Sequence, residues 1–166
     1  MVRLARIARF LLGWLPVAAL VLIIQAFASR GVIDAGRAPE LRGELVGGES
    51  FAGLESMSKP AIVYFWASWC GICRAMQSTV VAVAKDAPII SVAMQSGDAP
   101  TVGQYMIRRQ FDVPTLVDRD GILANAYGVR GVPAVFVIDE SGNIRYAAMG
   151  YTSELGLRLR LWGANR

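Results

Sequence analysis

Few side chains in this 166-residue chain are equipped for chemistry. It has no histidine, which removes Ser-His-Asp and Cys-His catalysis, most zinc sites and haem attachment through C-x-x-C-H. Its two cysteines stand together in Trp69-Cys70-Gly71-Ile72-Cys73. On the first turn of a helix, that spacing brings the two Cα atoms to about 5–6 Å, so the pair can form and break a disulfide with little backbone movement. With Cys70 at or beside the N-cap, its thiolate faces unpaired N–H groups and the positive helix end, which favour the ionised form. Cys73, one turn inside, is shielded and is the natural resolving thiol. This asymmetry suits exchange: Cys70 forms a mixed disulfide, and Cys73 or the substrate's second thiol resolves it. An inert staple over so short a loop would restrict little chain entropy. Two thiolates could also hold Cu(I), but the helix start and the adjacent tryptophans suit exchange better.

The elements around the motif are those that would aim it. Residues 61–66 (AIVYFW) form a continuous apolar run after Ser58-Lys59-Pro60, as expected of a central strand covered on both faces. Residues 73–87 have helical spacing, with Met76, Val80, Val83 and Ala87 on one face, and Pro88 ends the pattern. Residues 89–94 (IISVAM) read as a second strand, which makes a right-handed βαβ unit with parallel pairing. Helical pattern returns over residues 100–111, a short extended piece at 116–117, a turn at 118–121 and a brief helix at 122–127. Residues 134–138 (AVFVI) are a third central strand, paired through a 140–143 turn with 144–149 as an antiparallel hairpin. Residues 153–162 close the chain as a helix, with Leu155, Leu159 and Trp162 expected to face the sheet. The fold class is therefore α/β, a central mixed sheet flanked by helices, with the cysteines at the C-terminal end of a strand where open α/β folds place their sites.

Ahead of this domain, residues 10–28 run 19 residues without a charge, about 28 Å as a helix and close to the thickness of a bilayer core. Arg3, Arg6 and Arg9 precede the run, so residues 1–9 read as a basic cytoplasmic head and 10–28 as an uncleaved transmembrane anchor. Ala26-Phe27-Ala28 has the form of a cleavage site, but the run is longer than a usual signal-peptide core. Residues 29–43 read as a linker and 44–166 as the domain, with 44–46 a short edge strand. The net charge of +4 arises mostly from the head, since 14 basic and 13 acidic residues lie beyond residue 28. No basic stripe with interleaved aromatics is present, which argues against a nucleic-acid partner. Arg108 and Arg109 read as a solvated helix face in preference to a partner-docking patch, and Asp118-Arg119-Asp120-Gly121 as a turn lacking the further acids of a calcium loop.

FWASWCGIC before a helix, with GVRGVPAVFVIDESGNI later in the chain, resembles the thioredoxin-like family over about residues 43–163. More narrowly it is similar to the membrane-tethered periplasmic branch that includes TlpA, ResA, the cytochrome-c-maturation thioredoxins and the copper-sensitivity suppressor D group. The resemblance implies a thiol:disulfide oxidoreductase with Cys70 as nucleophile and Cys73 as resolving thiol, needing neither cofactor nor metal. It also implies a substrate groove at Gly131-Val132-Pro133, in which Val132 offers backbone groups to an extended segment and Pro133 is cis and packs against the disulfide. Trp69 would shield the disulfide and offer an apolar contact, while Trp66 is either core or groove wall. Implied partners are protein thiols and disulfides and a membrane electron donor. Tyr64 stands where thioredoxin has a buried aspartate, and Met76 where haem-pathway members carry a glutamate. Both read as packing, and Gly71-Ile72 is nearest the Gly-Val of the copper-sensitivity group.

Overall fold

The computed structural model describes residues 36–165. The expected anchor at 10–28 and the head before it lie outside these residues. Among the described residues no helix is long and apolar enough to cross a membrane. Two short strands, β1 (Gly43–Glu44) and β2 (Ser50–Phe51), pair antiparallel, and a 3-10 turn follows at Leu54–Ser56. The expected edge strand at 44–46 is thus reduced to a two-residue ladder. Beyond it, Leu45 makes an isolated bridge to Leu116 and Val46 N–H donates to Thr115 O at 2.9 Å.

The main sheet contains β3 (Ala61–Trp66), β4 (Ile89–Met94), β5 (Thr115–Asp118), β6 (Ala134–Ile138) and β7 (Ile144–Met149), in the spatial order β5-β4-β3-β6-β7. β3 pairs parallel with β4 and antiparallel with β6, so it is the centre of a mixed sheet. Its six residues are all buried, which explains the unbroken apolar run: there is no solvent face to require alternation. The 116–117 piece lengthens to four residues as the edge strand β5, held by parallel pairing with β4.

Three helices connect the strands, α1 (Gly71–Ala84), α2 (Ala99–Arg109) and α3 (Ile122–Ala126), and α4 (Glu154–Ala164) follows the last strand. One face of the sheet, carrying Ile62, Tyr64 and Trp66, packs with Cys73, Met76, Val80 and Val83 of α1, Val102 of α2 and Leu157 of α4. The other face, carrying Val63 and Phe65, is covered by Ala124, Tyr127, Leu41 and Leu54. α1 begins earlier than its apolar spacing suggested, because Cys70 rather than Cys73 ends the extended backbone. It stops at Ala84, where the N–H groups of Asp86 and Ala87 turn back onto Val83 O ahead of Pro88.

Two expectations change. α4 buries Leu157 and Ala164, whereas Leu155, Leu159 and Trp162 are exposed. Leucines at 155, 157, 159 and 161 alternate, so each side of the helix is apolar, and periodicity could not choose between them. Of the expected linker, residues 36–43 are docked on the domain. Leu41 is fully buried, Tyr127 Oη donates to Pro39 O at 2.9 Å, and Arg37 bridges Asn143.

Candidate active site

Strand β3 ends at Trp66, and a three-residue connection turns the chain so that Cys70 becomes the N-cap of α1. Cys70 and Cys73 are joined as a disulfide with their Cα atoms 5.3 Å apart. Cys73 N–H donates to Cys70 Sγ at 3.1 Å, so the sulfur occupies the position of a capping side-chain oxygen. The asymmetry expected of the pair is present: Cys70 lies at the rim with 7% of its surface exposed, and Cys73 has none.

The loop before β6 meets this turn from across the sheet. Val132 O lies 3.4 Å from Cys70 Sγ, and the Val132–Pro133 peptide is cis. Pro133 is buried, while Gly131 and Val132 are half-exposed. A Cβ built on Gly131 would meet nothing within 4 Å, so the backbone there opens onto free space beside the sulfur. Gly131, Val132, Pro133, Cys70 and Cys73 therefore come together at one end of the sheet. Trp69 is 60% exposed beside them, its indole N–H donating to Gln95 O at 3.1 Å. Trp66 is core. It is fully buried, donates to Ser91 Oγ at 3.1 Å and stacks on Tyr105 at a centroid distance of 5.3 Å.

Sequence reading missed two supports of the site. Gln95, in the left-handed region at φ 46°, supplies the carbonyl that holds the Trp69 indole. Ser96 Oγ accepts Ser68 N–H at 2.9 Å and donates to Met94 O, tying the β3–α1 connection to the end of β4. Gln-Ser-Gly after a strand was a visible turn signal, but nothing local to it pointed at the cysteines. Ile72, 55% exposed between the cysteines, adds apolar surface beside Trp69. The carboxylate of Asp118 accepts N–H bonds from Leu123 and Ala124 at 3.0 and 2.8 Å, so the 118–121 turn starts α3.

Tyr64 occupies the core beneath the motif. Its hydroxyl is buried without a hydrogen-bond partner, and burial, with a smaller contribution from Tyr105, pushes its pKa well above the ordinary phenol range. It stays neutral at any physiological pH. Among the described residues no three His, Cys, Asp or Glu side chains gather as a metal site.

A rim cysteine sulfur capping a helix, a buried partner and a facing cis-proline loop define a thioredoxin-like oxidoreductase built for thiol–disulfide exchange. Residues 35–156 match the Redoxin family, and the chain belongs to it. A thioredoxin-like protein of Haemophilus influenzae is 32% identical over 120 residues, covering 70% of this chain and 71% of its own length. The thiol:disulfide interchange protein DsbE of Allochromatium vinosum is 29% identical over 92 residues, 54% of this chain and 51% of that relative. Among solved structures, MTB dsbF superposes with a TM-score of 0.67 at 26% identity, covering 75% of this chain and 95% of that one.

Proposed function

We propose that this protein is a membrane-anchored reductase of protein disulfides, held by residues 10–28 with its catalytic domain on the periplasmic side of a bacterial inner membrane. The observation that carries the exchange chemistry is Cys73 N–H on Cys70 Sγ at the head of α1. In the reduced protein that N–H and the positive helix end favour the Cys70 thiolate. The thiolate attacks one sulfur of a substrate disulfide, breaking the S–S bond, releasing one substrate thiolate and forming a mixed disulfide. The Cys73 thiolate then attacks Cys70 Sγ, releases the second substrate thiolate and leaves Cys70–Cys73 oxidised. Two electrons pass to the substrate, and a membrane dithiol donor must return them.

Val132 and the open backbone at Gly131 are suited to an extended substrate segment, with Pro133 presenting no N–H to compete for its main-chain bonds. Trp69 and Ile72 provide the apolar contact. The reductive direction and the anchor draw support from the likeness to the TlpA and ResA branch, and Gly71-Ile72 supports the copper-sensitivity group within it. Equilibration of the full chain in detergent with defined thiol–disulfide buffers, read by mass after trapping free thiols, tests the direction. A potential below about −230 mV is expected, and one of about −120 to −180 mV would make the protein an oxidant.

A further inference from the structure

Between α1 and α2 a groove of about 480 Å³ begins beside the redox turn, walled by Arg74, Lys85 and Arg109, with buried Gln77 beneath. No acid lines it. Neither α1 nor α2 contains an acidic residue, although residues 36–165 hold twelve basic and twelve acidic side chains. The domain is thus neutral as a whole but positive here. Every ion pair among the described residues uses Arg42 or Arg158, so Arg74, Lys85 and Arg109 have no carboxylate partner there. Asp86, the acid nearest Lys85 in sequence, is held by Arg158 at 2.8 Å. Arg74 follows Cys73 directly, and its Nη2 lies 3.6 Å from where a Cβ on Gly71 would stand, so its charge reaches over the Cys70–Cys73 turn.

We propose that this groove docks an acidic segment of the protein whose disulfide or dithiol is exchanged, its carboxylates pairing with Lys85, Arg109 and Arg74 as its sulfur reaches Cys70. The inference rests on the exchange reading above and adds the chemistry of the partner. Unpaired cations beside a reactive group attract an anionic partner and raise its encounter rate, an effect that salt removes. A protein segment fits better than nucleic acid, because the groove carries no aromatic side chain for bases to stack on. Its continuity with the cysteine turn also ties it to the exchange partner.

The test uses the reduced full chain in detergent and two disulfide-bearing peptides that differ only in Asp/Glu against Asn/Gln beside the cysteine. Each rate is divided by the same protein's rate with uncharged bis(2-hydroxyethyl) disulfide, so that any change in thiol reactivity cancels. The acidic peptide is expected to react about tenfold faster at about 20 mM salt and within about twofold of the neutral one at about 500 mM. Lys85→Glu/Arg109→Glu should reverse the preference, whereas Arg145→Glu, on β7 at the opposite sheet edge, should retain it. Equal peptide rates at low salt, or a preference surviving the double reversal, would overturn the docking surface. Failure with bis(2-hydroxyethyl) disulfide as well as both peptides would overturn the exchange reading beneath it.

Discussion

At the scale of single residues the two cysteines are chemically distinct because one side chain ends a strand connection and the other is already inside a helix. Cys70 receives an N–H bond at the rim, and Cys73 is sealed in the core. Cys73→Ser is expected to leave Cys70 able to attack but unable to be released, so mixed disulfides should accumulate and be visible by non-reducing electrophoresis. Cys70→Ser should reduce exchange to background and trap nothing. Tyr64 is a separate case. Its unpartnered hydroxyl costs stability, so Tyr64→Phe should raise the unfolding free energy by about 1 kcal/mol, measured in urea. Burial raises the phenol pKa of both Tyr64 and Tyr127 in the folded state. Unfolding lets each ionise near its ordinary value of about 10. Stability from these groups is therefore complete below that pH and falls as pH rises above it, and Tyr64→Phe should flatten the alkaline decline.

At the scale of elements, α4 tests how the outer layer is held. Leu157 is fully buried in the cluster that contains Cys73, whereas Leu159, two residues on, is 57% exposed. Leu157→Ala should cost about 2–5 kcal/mol through lost burial and a residual cavity. Leu159→Ala should change stability by no more than about 0.5 kcal/mol. Denaturant midpoints of the two variants decide which side of the helix meets the sheet. The opposite result would restore the face expected from Leu155, Leu159 and Trp162. α1 carries a different lesson. Its apolar face was readable from spacing only from Cys73 on, whereas its start was readable from the cysteine motif, which put Cys70 at or beside the N-cap, where it stands.

At the scale of the whole molecule, the segment before β1 belongs to the domain. Leu41 and the Pro39 carbonyl meet Tyr127 and the sheet face opposite α1, so residues 36–43 close a layer that the short helix α3 leaves partly open. Deleting residues 36–42 should therefore destabilise the domain by about 2–5 kcal/mol, the range of one large core side chain removed. A free tether would give no change in melting temperature. The buried β3 run, the β3-α1-β4 order, the β6–β7 hairpin and the cysteine motif were all legible in the chain. Each is written in local patterns: unbroken apolar strands, helical spacing, a turn cluster and a fixed cysteine spacing.

What the sequence by itself determined was the α/β order and the residues able to exchange a disulfide, because strand burial and the C-x-x-C spacing are local properties. Only the tertiary structure decided which leucine of α4 faces inward, that Trp66 is core and that Gln95 and Ser96 hold the motif's approach. It set Arg109 in one groove with Arg74 and Lys85, and it joined Val132 to Cys70 across 62 residues, a meeting that the chain's own patterns did not contain and that only the family resemblance implied. These juxtapositions depend on which elements the mixed sheet makes neighbours, and no local pattern in the chain records that choice.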